Sequence, residues 1–81
     1  MIKVLFFGQL KDQVQTGSIE VAQSVEDVAN LKKTLVLYHP QWSEYLSADS
    51  TLVAVNQTIG NENTSLADGD EVAFFPPVTG G

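Results

Sequence analysis

The chain has 81 residues, a length that fits one domain and is too short for two. Its 43% hydrophobic content is typical of a folded protein rather than a disordered one. Ten acidic residues against four lysines and no arginine give a net charge of −6, which argues against nucleic-acid binding.

The sequence contains neither cysteine nor a membrane-spanning or signal segment, and each of these absences bears on the class of protein. Without cysteine, the chain has no disulfide, no thiolate nucleophile and no cysteine metal site. No apolar run approaches the about 20 residues of a membrane span, and no signal-peptide pattern is present, so we expect a cytoplasmic location. The acidic balance favours a partner with a basic docking surface, although it would also serve solubility alone.

The first part of the chain predicts a wide hairpin. Residues 1–7 read as a strand whose side chains alternate between two faces, and Gly8 ends it. Residues 9–15 fit a short helical turn or a loop. A turn at residues 16–18 then leads into a second strand at residues 19–22.

One main helix is predicted to follow. Ser24 and Asp27 form a capping-box-like start, with Asp in place of the usual Glu or Gln. Apolar residues recur at helical spacing after it. Pro40 disfavours helix at His39, so the helix should end near Tyr38.

The second half of the chain predicts turns, one apolar strand and a closing strand. Trp42 and Tyr45 are expected in or beside the core. The remaining predictions are a turn at 48–50, a strand at 51–56, a turn at 56–58, an isolated Ile59, a brief edge strand at 64–66, a tight turn at 68–70 and a strand at 71–75.

The resulting order, β-β-α-β-(β)-β, predicts an α+β fold of the ubiquitin-like β-grasp type spanning residues 1–81 as a single domain. One main helix packs on a small mixed sheet. The first and last strands are the most apolar, so they should be parallel neighbours at its centre. On the face away from the helix, Phe7 and Phe75 would then lie side by side as a docking patch, unless a loop covers them.

Residues 76–81 are predicted to be an extended, flexible tail. Two prolines stop the strand, and Val78, Thr79, Gly80 and Gly81 follow. Extended, these six residues could reach about 20 Å. A frayed terminus is one explanation, but a tail that is slim at its tip could also thread a narrow channel and present a reactive carboxylate.

The sequence offers no catalytic set of its own. His39 is the only histidine, and we expect it to be a surface residue at a helix end with no metal role. No Ser/His/Asp set, carboxylate pair or phosphate loop is recognisable, so catalytic groups would have to come from partners.

Three segments, at residues 1–8, 53–58 and 66–81, closely resemble the small subunit of bacterial molybdopterin synthase (the MoaD family). The strongest is the closing Asp-Gly-Asp-Glu-Val-Ala-Phe-Phe-Pro-Pro-Val-Thr-Gly-Gly at residues 68–81, while residues 9–50 match only in pattern. Lys11 stands where the family often has arginine, which keeps the charge but loses bidentate bonding.

The resemblance implies a sulfur carrier. Gly81 would be adenylated by an E1-like enzyme (MoeB type) with ATP, then converted to a thiocarboxylate. The loaded tail would enter the large synthase subunit (MoaE type) in a heterotetramer and give its sulfur to cyclic pyranopterin monophosphate. The chain itself would bind no cofactor or metal. Phe7, Ile59 and Phe75 match positions of the family's hydrophobic contact with partners.

Three other functions fit the same sequence. The sulfur carrier of thiamine synthesis has the same fold and diglycine end, although the Phe-Phe-Pro-Pro segment favours the molybdopterin pathway. A ubiquitin-like modifier would be joined to target lysines. A plain adaptor would have an inert tail.

Overall fold

The computed structural model describes residues 1–46 and 51–76; the predicted turn at 48–50 and the tail after Pro76 lie outside these ranges. Within them the strands are β1 (Ile2–Phe6), β2 (Ser18–Val21), β3 (Leu52–Val55), β4 (Thr58–Ile59) and β5 (Glu71–Phe75). The helices are α1 (Gly8–Val14), α2 (Val28–Tyr38) and α3 (Ser43–Leu46), with a 3-10 turn at Pro40–Trp42.

The described strands form one mixed sheet in the order β2-β1-β5-β3-β4. At its centre β1 and β5 run parallel, with Lys3 opposite Glu71 and Leu5 opposite Ala73, as the sequence predicted. The β1–β2 hairpin, the β3–β4 pair and the β3–β5 pair are antiparallel. This confirms the ubiquitin-like β-grasp prediction for the described residues.

The core lies between α2 and one face of the sheet. The alternating residues of β1 and β5 that were predicted to face the helix are all 2% exposed or less: Ile2, Val4, Phe6, Val72 and Phe74. They form one cluster with Leu31 and Leu35 of α2 and with Trp42. Trp42 meets Phe6 edge-on at a centroid distance of 5.3 Å, so its predicted place in the core is confirmed.

The predicted start of the main helix was wrong. The helix is capped by Asp27, whose Oδ1 accepts the Asn30 N–H at 2.8 Å, and Ser24 lies before it in non-helical backbone. The reason is tertiary: the loop carbonyls of Thr64 and Glu62 accept the N–H groups of Val28 and Ala29. With the helix starting at Val28, each of its first three N–H groups has an acceptor.

Two short segments also differ from the prediction. Ile59 is not isolated; it belongs to β4, which a two-residue turn at Asn56 and Gln57 joins to β3. Both turn residues have positive φ, 50° and 70°, the geometry of a tight hairpin. The expected edge strand at 64–66 is reduced to a single bridge between Asp27 and Ser65.

Candidate functional site

The face of the sheet opposite α2 carries an apolar patch. We define this patch by the alternate residues of four strands and the residue after β1: Leu5, Phe7, Leu52, Ala54, Ile59, Ala73 and Phe75. The pairing brings them together, since Leu5 lies beside Ala73, Ala54 between Ala73 and Ile59, and Leu52 beside Phe75.

Phe7 and Phe75 stack on each other at the end of the patch where β1 and β5 finish. Their ring centroids are 4.9 Å apart and the planes differ by 8°. The Phe7 N–H donates to the Phe74 carbonyl at 3.1 Å, which continues the β1–β5 pairing beyond Phe6 and holds Phe7 in place. Phe7 remains 42% exposed, so no described loop covers the pair.

Two alanines form the floor of a shallow hollow beside the ring pair. Ala54 and Ala73 lie at its base, and Leu5, Ile59 and the two rings rise around them, enclosing about 330 Å³. Ile59 projects strongly, with 71% of its surface exposed. Exposed aromatic and aliphatic side chains around a small recess are typical of a protein-docking surface.

The patch is larger than the sequence predicted. Phe7, Ile59 and Phe75 were expected there, and the structure places all three on one face. Leu52 was missed although it is 39% exposed, because its position depends on the register between β3 and β5, which a single sequence does not reveal. The spacing of Leu52 and Ala54 two apart was the available signal.

The turn before β5 is held by a charged residue. Asp70 accepts the Ala67 N–H at 2.8 Å and the Asn56 side-chain amide at 3.1 Å. The backbone hydrogen bond first, and the amide second, hold the pKa of Asp70 below its ordinary value of 3.8. Gly69, with φ +91°, completes the predicted tight turn.

Pro76 is the last described residue and leaves the sheet next to the stacked rings. It follows Phe75 directly, at the end of β5. The predicted tail residues Val78, Thr79, Gly80 and Gly81 lie outside the described residues, so their roles stay predictions.

The remaining candidates lie away from the patch. His39 stacks on Trp42 at 3.9 Å at the end of α2, and Lys11 lies on α1 near Gly17. Among residues 1–46 and 51–76, no group of three or more His, Asp or Glu side chains is placed to hold a metal ion. In the same residues, no helix combines the length and apolarity that crossing a membrane requires.

The fold defines a ubiquitin-like protein, and the open face of its sheet carries an exposed apolar patch. The chain belongs to the ThiS family, whose model matches residues 4–81. This agrees with the resemblance read from the sequence.

Relatives that match over their whole length have a more specific name than the family. The chain is 47% identical over 81 residues to the molybdopterin synthase sulfur carrier subunit of Escherichia coli, and the match covers 100% of both chains. It is 35% identical to the subunit of the same name from Haemophilus influenzae, again over the whole of both chains.

Solved structures support the same fold. The crystal structure of SAMP1 from Haloferax volcanii matches with a TM-score of 0.84 and 25% identity, covering 99% of this chain and 98% of that one. A chain in the complex of subunits 1 and 2 of molybdopterin-converting factor from Helicobacter pylori matches with a TM-score of 0.67 and 27% identity, covering 99% and 97%.

Proposed function

We propose that this chain is the sulfur carrier subunit of a molybdopterin synthase, with sulfur carried on the carboxyl group of Gly81. The observation that carries the proposal is the position of the tail's base: Pro76 leaves the sheet directly beside the exposed Phe7–Phe75 pair. A partner that covers the patch would therefore receive the tail. The two relatives of the same name, matched from end to end, support this assignment.

The chemistry begins with activation of a poor electrophile. A carboxylate reacts slowly with nucleophiles because it is anionic and its leaving group is oxide. Transfer of AMP from ATP to the Gly81 carboxylate releases pyrophosphate and creates an acyl adenylate. A sulfide-level sulfur nucleophile then attacks the carbonyl carbon and expels AMP, leaving a thiocarboxylate.

Delivery of the sulfur to the substrate returns Gly81 to a free carboxylate. The thiocarboxylate sulfur attacks an oxygen-bearing carbon of cyclic pyranopterin monophosphate. The new carbon–sulfur bond forms as the carbon–oxygen bond breaks, and the oxygen leaves as water or on the phosphate. Water then cleaves the bond between the Gly81 carbonyl carbon and sulfur, which restores the carboxylate and leaves sulfur on the substrate. The chain contains no cysteine, so this route keeps sulfur off its side chains.

Two partners follow from this chemistry. An E1-like enzyme of the MoeB type would bind ATP and load the tail. A large subunit of the MoaE type would supply the catalytic groups within a heterotetramer, so that this chain is the sulfur-donating subunit of a sulfurtransferase. A cytoplasmic location, where ATP is available, goes with this proposal.

A ubiquitin-like modifier is the second candidate, because the fold matches that of SAMP1, the small archaeal modifier protein 1 of Haloferax volcanii, with a TM-score of 0.84. A modifier would use the same adenylated terminus but pass it to a lysine amine, forming an isopeptide bond. The thiamine-type carrier is distinguished by its acceptor, because its sulfur would go to a thiazole-forming enzyme.

Intact mass spectrometry separates these functions. The chain is incubated with ATP, the E1-like enzyme and a sulfur donor, and a variant lacking Gly81 is the control. We expect the mass to rise by the difference between one sulfur and one oxygen, with fragmentation locating the change at Gly81, and the control to stay unchanged.

Discharge then identifies the pathway. Adding the large synthase subunit and cyclic pyranopterin monophosphate should return the mass to its starting value while the dithiolene forms. Products linked to lysines would support the modifier, and discharge only to a thiazole-forming enzyme would support the thiamine carrier. Normal molybdopterin formation by the variant lacking Gly81 would overturn the carrier proposal.

A further inference from the structure

The Pro76 ring occupies the space beside Gly8 that a side chain at residue 8 would need. Gly8 is the first residue of α1 and has a φ of +58°. A Cβ atom added there would lie 2.9 Å from Pro76 Cγ and 3.3 Å from Pro76 Cδ. The shorter distance is below any ordinary carbon–carbon contact, so the proline ring lies where a side chain would otherwise be.

If a side chain were present at residue 8, Pro76 would be the partner that moves. Helix α1 is anchored by its buried residues Leu10 and Val14, and by the hydrogen bond from the Phe7 N–H to the Phe74 carbonyl. Pro76 lies beyond Phe75, the last residue of β5 that pairs with β3, and has no N–H to donate. Its ring is bonded to the backbone, so moving the ring moves the chain.

We propose that Gly8 is a positioning residue for sulfur transfer: its missing side chain lets the Pro76 ring pack against α1 and fixes where residues 77–81 leave the sheet beside the Phe7–Phe75 pair. The inference rests on the proposed carrier function. Five residues follow Pro76, so the tail reaches at most about 17 Å when extended. A displaced base therefore reduces the reach of Gly81 into a partner that is docked on the patch.

Gly69 offers a matched control within the same chain. It also has a positive φ, +91°, and so would strain any ordinary side chain, but an added Cβ would meet nothing within 4 Å. Gly69→Ala therefore also imposes the backbone cost of a positive φ, but without a contact to Pro76. The difference between the two variants isolates the effect on the tail.

The test measures a single turnover of sulfur transfer. Wild type, Gly8→Ala and Gly69→Ala are loaded as thiocarboxylates, confirmed by intact mass, and mixed with excess large subunit and cyclic pyranopterin monophosphate. We expect Gly8→Ala to lower the first-order rate about tenfold or more, because small misplacements of a reacting group are costly. Gly69→Ala should retain the wild-type rate, and the affinity of all three for the large subunit should agree within about threefold.

A double variant separates steric displacement from strain. Pro76→Ala removes the two ring atoms that the new Cβ would meet, so Gly8→Ala with Pro76→Ala should transfer sulfur faster than Gly8→Ala alone. Gly8→Asn, which tolerates positive φ but still has a Cβ, should remain slow even if Gly8→Ala folds poorly.

The possible outcomes separate the positioning role of Gly8 from the proposed carrier function. Equal rates for Gly8→Ala and Gly69→Ala, or no rescue by Pro76→Ala, would overturn the positioning role and leave the carrier function intact. A wild-type chain that cannot be loaded or discharged would overturn the carrier function, and the positioning role with it.

Discussion

At the scale of single residues, Phe74 and Phe75 show how strand parity divides one side-chain type between two roles. Phe74 is fully buried under α2, whereas Phe75 is half-buried on the open face and stacks on Phe7. Adjacent residues in a strand point to opposite faces, so the same ring serves the core in one position and the patch in the next.

Alanine substitutions at these two positions should therefore affect different properties, binding in one case and stability in the other. Phe75→Ala should weaken binding to the large subunit by about 2 kcal/mol or more, within the range of interface hot spots. Phe74→Ala should instead lower the free energy of unfolding by about 3–5 kcal/mol through loss of burial and a cavity. Thermal melts and binding titrations on both variants check this. A badly destabilised Phe75→Ala with unchanged affinity would contradict the docking patch.

Protonation of Asp70 at low pH should lower the stability of the fold. Its carboxylate is hydrogen-bonded in the folded state, so its pKa is lowered from 3.8, and folding favours the charged form. This contribution is present above the unfolded pKa and is lost as the pH falls through the lower folded value. Wild type should exceed Asp70→Asn in thermal midpoint at neutral pH, and the gap should narrow as the pH falls below 3.8.

The dependence of this gap on pH tests the role of Asp70. A gap between wild type and Asp70→Asn that stays constant or widens on acidification would contradict the role of Asp70.

At the scale of elements, the start of α2 shows why local sequence signals are incomplete. Ser24 and Asp27 are both good N-cap residues, and the spacing between them suggested the earlier one. The choice is made by residues 62–64, whose carbonyls accept from Val28 and Ala29 across the fold. These acceptor residues lie more than thirty positions further along the chain, so the local sequence around the helix start does not show them.

Two alanine variants test the corrected boundary. Asp27→Ala should lower the free energy of unfolding by about 1 kcal/mol, because the Asn30 N–H loses its acceptor. Ser24→Ala should change it by less than about 0.5 kcal/mol, as expected for an exposed residue without such a role. Urea denaturation of both variants measures the difference. Equal costs, or a larger cost at Ser24, would restore the earlier start.

At the scale of the whole molecule, the sequence predicted the architecture better than the full extent of the patch. The apolar alternation of β1 and β5 was enough to predict their pairing and the two faces, because one buried face fixes register. Leu52 and Ala54 joined the patch only through the β3–β5 register, and Gly8 gained its contact with Pro76 only in three dimensions. Contacts between distant segments are therefore what the sequence did not reveal.

The net charge of −6 should govern how fast this molecule meets its partner. If the large subunit presents a basic surface, the association rate should fall about tenfold or more between about 0.01 M and 1 M salt, as the Debye length shrinks from about 30 Å to about 3 Å. The dissociation rate should change less, because the patch itself is apolar. Stopped-flow association and dissociation measurements across this range give both rates.

Two charge-removing variants show whether the field near the patch or the total charge matters. Glu71 lines the hollow of the patch, whereas Glu62 pairs with Lys32 of α2 at 3.4 Å, away from it. Because steering acts most strongly near the contact surface, Glu71→Gln should slow association at low salt more than Glu62→Gln does. Equal slowing by both variants would assign the effect to net charge, and an association rate that is insensitive to salt would exclude steering altogether.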